Sequence, residues 1–277
     1  MKMLILGARG MLGSALTRLG QKYAPIAWDK ETVDLTDSQA LTEKISQLQP
    51  DYIINAAAYT NVDGAESDSR AAFAVNERAV HVLATVAKEM QVTLIHYSTD
   101  YVFPGDKDEG YVEDDKPGPA INVYGTSKLA GERALQTVAP RFYLIRTAWL
   151  YGPGGKNFVD TMLHLAKDHS SLKVVNDQHG SPTFTFDVAR ATYALLAENY
   201  QPGIYHLVNS GMTTWYDFAR HIFTAVGTAV TVQPIPSEQY PLPARRPQYS
   251  KLNNTKGPGL RSWEAALDEY LKKYYIS

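Results

Sequence analysis

Tyr124 and Lys128 stand four residues apart in Tyr124-Gly-Thr-Ser-Lys128. On a helix that spacing puts both side chains on one face. A free phenol titrates near pH ~10 and is a poor acid or base at neutral pH. A neighbouring ammonium favours the phenolate and draws the group toward a useful acid–base range. A further hydroxyl comes from Ser98-Thr99-Asp100, at the end of an apolar run. Thr99 there could hydrogen-bond a carbonyl oxygen beside the tyrosine. At the N-terminus, Met3-Leu-Ile-Leu-Gly7-Ala-Arg9-Gly10-Met11-Leu12-Gly13 spaces its glycines as G-x-x-G-x-x-G, where a strand would turn into a helix. Such a turn lets backbone approach a pyrophosphate, whose charge the helix N-terminus stabilises. Asp29 closes the next apolar run at the distance expected of a carboxylate on an adenine ribose, the mark of NAD. Arg9, inside the glycine loop, suits a 2′-phosphate and points to NADP instead. Both NADH and NADPH are therefore expected cofactors.

Composition removes whole classes of chemistry. The 277 residues contain no cysteine, so no thiolate nucleophile, disulfide framework, cysteine-bound zinc or iron–sulfur cluster is possible. Lys+Arg of 27 against Asp+Glu of 29 gives a net charge of -2, without the global basic footprint of a nucleic-acid binder. The N-terminus has no secretory pattern, and no apolar run has the ~18 residues of a membrane span. A cytoplasmic protein with no nucleic-acid or membrane partner is expected.

The elements that must position these residues alternate. Apolar runs at Met3–Leu6, Pro25–Trp28, Tyr52–Ile54, Thr93–Ile95 and Phe142–Ile145 are separated by helical patterns. Those patterns cover Met11–Leu19, Ala40–Leu48, Ala71–Met90 and Val123–Val138. Strand–helix repetition of this kind predicts an α/β fold with a doubly wound parallel (Rossmann) sheet. The proline-punctuated second half offers one more strand near Ile204–Val208 and helices over Thr214–Val226 and Trp263–Tyr274. The expected division is a dinucleotide-binding domain over 1–147, to which the chain returns near 184–208. A smaller C-terminal substrate-binding lobe takes 148–183 and 209–277.

In these motifs the sequence resembles the extended short-chain dehydrogenase/reductase superfamily and, within it, the dTDP-4-dehydrorhamnose reductase family. The resembling stretches span nearly the whole chain. They include Asn55-Ala-Ala-Ala-Tyr-Thr-Asn-Val-Asp63, His96-Tyr-Ser-Thr-Asp-Tyr-Val-Phe-Pro-Gly105 and Asn122-Val-Tyr-Gly-Thr-Ser-Lys-Leu-Ala-Gly-Glu132. Further along come Arg146-Thr-Ala-Trp-Leu-Tyr151, Asn176-Asp-Gln-His-Gly-Ser-Pro-Thr183 and Ala244-Arg-Arg-Pro-Gln-Tyr-Ser-Lys-Leu-Asn253. The resemblance implies NAD(P)H-dependent reduction of the 4-keto group of a dTDP-4-keto-6-deoxy sugar, serving cell-surface polysaccharide synthesis. Tyr124 would give the proton, Lys128 would hold the nicotinamide ribose and lower the tyrosine pKa, and Thr99 would complete the oxygen's hydrogen bonds. Asp29, Asp34, Leu35, Ala58, Tyr59, Thr60 and Tyr97 would line the cofactor. Asp100 and Trp149 would contact the sugar. Arg245 and Arg246, in a proline-rich loop, have the fork geometry to clamp the nucleotide diphosphate.

Two alternatives accompany this reading: another nucleotide-sugar ketoreductase, dehydratase or epimerase of the superfamily, and a non-catalytic regulatory subunit. Some relatives dimerise through carboxylates bridging a metal, one of them on the first helix. Here no Asp or Glu precedes Asp29, so no metal is expected, and a monomer or homodimer remains. The acidic stretch Gly105–Ile121 reads as a solvated loop, with a lid as the functional alternative.

Overall fold

Short strands of branched apolar residues need cover on both faces, and a parallel sheet provides it. The computed structural model describes residues 2–276. Its first half runs β1 (Met3–Leu6), α1 (Met11–Leu19), β2 (Ile26–Trp28), α2 (Ser38–Leu48), β3 (Tyr52–Asn55), α3 (Val62–Ser67), α4 (Ser69–Phe73), α5 (Ala79–Met90), β4 (Thr93–Thr99), α6 (Val123–Val138) and β5 (Phe142–Thr147). The second half runs β6 (Leu150–Tyr151), α7 (Phe158–Leu165), β7 (Ser171–Val175), β8 (His179–Gly180), β9 (Thr183–Phe184), α8 (Thr185–Ala197), β10 (Gly203–His206), β11 (Thr213–Thr214), α9 (Trp215–Val226), β12 (Thr231–Ile235) and α10 (Trp263–Tyr274).

Six strands form one parallel sheet in the order β2-β1-β3-β4-β5-β10. The chain steps from β1 to β2, then crosses back over β1 to β3. The crevice at that reversal is where open α/β sheets bind ligands. Alternation along each strand sorts the core into two layers. Met3, Ile5, Ile54, Ile95 and Ile145 pack with α1 and α8, while Leu4, Leu6, Ile53, Leu94 and Leu144 pack with α2, α5 and α6. Three two-stranded pairs, β6 with β9, β7 with β12 and β8 with β11, lie outside the sheet.

The helix expected over Ala71–Met90 is interrupted. Ala74–Arg78 forms a π-helical turn between α4 and α5, with Asn76 buried in it. Asn76 accepts from the Tyr59 amide at 2.9 Å and donates to the Tyr59 carbonyl and Ser127 hydroxyl, each at 3.0 Å. It thus straps the loop after β3 to α6. Neither α7 nor α8 was expected from the sequence. Helix α8 is buried along most of its length, from Thr185 to Leu195, and so carries no clear amphipathic stripe.

Beneath the sheet's carboxyl edge, Glu132 of α6 takes both its hydrogen bonds from Arg146 of β5, at 3.0 and 2.8 Å. Both side chains are almost wholly excluded from solvent, 0% and 1% exposed. Removing one partner leaves the other charge buried and unpaired. Glu132→Ala is therefore expected to lower stability by about 3–5 kcal/mol. Replacing both residues with apolar ones should recover much of that loss, and denaturant midpoints of the three proteins check it.

Candidate active site

The carboxyl ends of β1, β3, β4 and β5 open into one cleft of about 970 Å³, the size of a small-molecule site. The glycine turn forms one end. Gly7 has φ +71°, and a Cβ there would stand 2.7 Å from the Ala57 nitrogen. A Cβ on Gly13 would stand 2.0 Å from the Gly7 carbonyl oxygen. Both positions therefore exclude any side chain, and the loop sits flush against the exit of β3. Gly10 caps α1 without a side-chain hydrogen bond, and no acidic residue occupies the helix's first turn. A bare helix N-terminus behind a glycine cradle fits a dinucleotide pyrophosphate.

Most residues singled out in the sequence meet in this cleft. Gly7, Gly10, Met11, Leu12, Asp29, Asp34, Leu35, Ala58, Tyr59 and Thr60 line one part. Tyr97, Thr99, Asp100, Tyr124, Lys128 and Trp149 line the rest. The Tyr97 phenol itself points into the core, 2.8 Å from the Thr192 hydroxyl. Gly13 lies under the loop rather than in the wall. Asp29 is pinned by the amides of Arg9 at 2.7 Å and Lys30 at 2.8 Å. The Arg9 guanidinium extends into solvent and pairs with Glu31 at 2.9 Å, outside the wall. Arg246 is not brought to the cleft wall either. Its guanidinium holds Asp63 of α3 at 2.8 Å and the Ala244 carbonyl at 2.9 Å. Lining residues that sequence reasoning missed include Lys30, Ala57, Ser98, Thr147, Gly155 and Lys156. Ala57 and Ser98 lie inside stretches already singled out, but Lys156 carried no local signal.

At the centre, Thr99 ends β4 and donates to Asp100 Oδ1 at 2.7 Å. Its hydroxyl also acts on the phenol of Tyr124, in the first turn of α6. That helix is anchored by Asn122, which accepts from the Gly125 amide at 2.7 Å and donates to the Arg245 carbonyl at 2.8 Å. Burial raises the Tyr124 phenol pKa; the Thr99 hydrogen bond pulls it down and the Asp100 charge pushes it up. The Lys128 ammonium is turned under the sheet edge, donating to the Tyr97 carbonyl at 2.6 Å with His96 Nε2 at 3.4 Å. His96 in turn faces the Asn55 amide nitrogen at 3.1 Å. Burial lowers Lys128 to about 8, against a raising pull from Glu132.

Trp149 is held rigidly. It adopts φ +45°, a strained value for a bulky side chain, and stacks on Trp215 with centroids 3.4 Å apart and planes 4° from parallel. In the acidic stretch Asp106, Asp108, Glu109 and Asp114 are exposed to solvent as expected, while Tyr111 and Glu113 are anchored. Tyr111 stacks on Phe103 at 4.2 Å, and Glu113, 3% exposed, accepts from the Thr255 amide and hydroxyl and the His206 amide. Among the described residues, no group of three His, Asp or Glu side chains could hold a metal ion.

The sequence pattern of the family described as "RmlD substrate binding domain" matches residues 1–276. A dTDP-4-dehydrorhamnose reductase of Escherichia coli strain K12 is 41% identical over 271 residues, covering 92% of this chain and 90% of that protein. The crystal structure of a dTDP-4-dehydrorhamnose reductase from Clostridium acetobutylicum superposes with a TM-score of 0.94 at 38% identity, over 99% of both chains. One from Bacillus anthracis, solved in complex with NADP, also gives 0.94, at 35% identity, over 99% of this chain and 100% of that one. Gly13→Ala must push the glycine loop off the helix start. It is expected to weaken NADPH binding about tenfold or more, ~1.4 kcal/mol, in a fluorescence titration.

Proposed function

The chain belongs to the family of the RmlD substrate binding domain, and on that premise we propose that it reduces the 4-keto group of dTDP-4-dehydro-L-rhamnose to dTDP-L-rhamnose with NADPH or NADH. The observation that carries the reading is the convergence of Thr99, Tyr124 and Lys128 on a cleft that also holds a glycine cradle. The product would serve cell-surface polysaccharide synthesis. The cysteine-free composition supports a cytoplasmic location, and we infer a monomer or homodimer. In this reading the dinucleotide part is 1–147 with 184–208, and the substrate lobe is 148–183 with 209–277.

When bound, the dinucleotide supplies the hydride. Gly7, Gly10, Met11 and Leu12 would hold its pyrophosphate, Asp29 its adenine ribose, and Lys128 its nicotinamide ribose. As the substrate's C4 oxygen gains the electron pair, Tyr124 delivers its phenolic proton to it. A buried phenol with a raised pKa stays protonated at neutral pH, and an alkoxide is a far stronger base than a phenolate. The site is therefore loaded for reduction rather than for the reverse reaction. Thr99 would supply a second hydrogen bond to the same oxygen once its hydrogen is released from Asp100, and Asp100 and Trp149 border the sugar. Dehydratases of the superfamily follow the threonine–aspartate pair with a glutamate; here Tyr101 stands in that place.

Loss of the phenolic proton in Tyr124→Phe is expected to reduce turnover by about 10²-fold or more. The assay is decay of reduced-cofactor absorbance with dTDP-4-dehydro-L-rhamnose, and near-normal turnover would remove the tyrosine from its role. With Asp29 fixed by two amides and both Lys30 and Arg9 near the loop, NADH and NADPH should both serve. Their kcat/KM values are expected to lie within about 10³-fold, or ~4 kcal/mol, of each other.

A further inference from the structure

A threonine hydroxyl has one hydrogen and two lone pairs. For Thr99 the hydrogen and one lone pair are spoken for. The hydrogen goes to Asp100 Oδ1 at 2.7 Å, while the oxygen accepts from the Tyr101 amide at 3.2 Å and faces the Tyr124 phenol, on whose titration it acts. In this arrangement Thr99 cannot donate to a substrate carbonyl, because its only hydrogen is already given to the carboxylate. The other carboxyl oxygen, Asp100 Oδ2, is buried and has no hydrogen-bond partner. The nearby Ser250 hydroxyl lies 3.3 Å from the His179 carbonyl and also acts on this carboxyl.

We propose that Asp100 is a positioning residue that switches Thr99: as a carboxylate it captures the threonine's hydrogen, and as a carboxylic acid it donates to Thr99 Oγ and releases that hydrogen to the substrate oxygen. The inference rests on the ketone reduction proposed above. Taking up one proton is the only chemical change required. The inventory then closes: Oγ accepts from Asp100 and the Tyr101 amide, Thr99 donates to the substrate, and Tyr124 turns to the same oxygen. A buried carboxylate oxygen without a partner is costly, and a neutral acid removes most of that cost.

The surroundings favour the neutral form. Burial pushes the Asp100 carboxyl up to about 6, against the Thr99 and Ser250 hydroxyls and the Asp100 and Tyr101 amides, which lower it. The groups packed around it are hydroxyls and phenols: Thr99 on β4, Tyr101 just after it, Tyr124 on α6 and Ser250 from the loop before α10. Burial raises both phenols, so they stay neutral across the relevant range. Beyond Tyr101 stands the Arg246–Asp63 ion pair, whose charges act on that phenol in opposite senses. The Lys128 ammonium is directed to the Tyr97 carbonyl.

The test is kcat/KM against pH for the wild type and Asp100→Asn, with dTDP-4-dehydro-L-rhamnose and saturating NADPH. As pH rises through the carboxyl's titration the acid is lost and Thr99 is recaptured. The wild type should therefore fall on the alkaline side, levelling at about 10²-fold, the usual worth of one oxyanion donor. The asparagine amide donates to Thr99 at every pH, so the ratio of variant to wild type should climb by the same factor. A wild-type profile without this limb, or a limb kept in the variant, overturns the switch. A second readout needs no turnover. In the ligand-free protein the carboxyl ¹³C signal of Asp100 should titrate near the buried value, and Thr99→Val should move that titration upward, because the carboxylate loses its donor. An unmoved titration also overturns the proposal. Absence of wild-type turnover with the expected carboxyl shift would instead strike the substrate reading alone.

Discussion

Three charged side chains lie buried under the cleft: Lys128 and Glu132 one turn apart on α6, and Arg146 on β5. Removing such groups from water costs several kcal/mol each, and only complete sets of partners offset it. The neighbouring elements are arranged accordingly. Arg146 meets both oxygens of Glu132, lies 5.0 Å from the Phe103 ring centre and reaches His206 at 3.4 Å. The His206 amide then engages Glu113, which holds Thr255. One buried pair thereby ties β5 and β10 to the segment after β4 and to the loop before α10. The stretch between Thr99 and Tyr124 is part of that framework, anchored by Glu113.

The same desolvation sets the chemistry of the site. Lys128 is lowered to about 8, His96 is held neutral, Asp100 is raised to about 6 and the Tyr124 phenol is raised further from its ordinary value. In each case burial is the first cause. Groups that would be charged at the surface are drawn toward neutrality, and protons stay where a developing alkoxide needs them. The Lys128 ammonium gives one of its three hydrogens to the Tyr97 carbonyl beneath the strand.

Much of this was legible in the residues alone. Short continuous apolar runs identify the strands from β1 to β5. The glycine spacing identifies a loop that admits no Cβ at Gly7 or Gly13, and the Tyr124–Lys128 interval identifies a helix face. These are local requirements of sterics and periodicity, so a few consecutive residues suffice to state them. Ala58, Tyr59 and Thr60 came only through the family resemblance, and the structure sets them in the cleft because β3 ends beside β1.

Tertiary structure decided which partner each polar group takes. Arg246, free in the sequence to clamp a diphosphate, is committed to Asp63 because α3 and the loop before α10 lie side by side. The π-helical turn exists where Asn76 must reach both Tyr59 and Ser127. Helix α8 hides from any amphipathic pattern because it is covered along most of its length. Thr99 has one hydrogen, and its recipient depends on a carboxyl brought against it by the fold. Hydrogen-bond capacity is finite and burial is collective, so these outcomes are settled only when distant segments compete for the same donors in the same dry space.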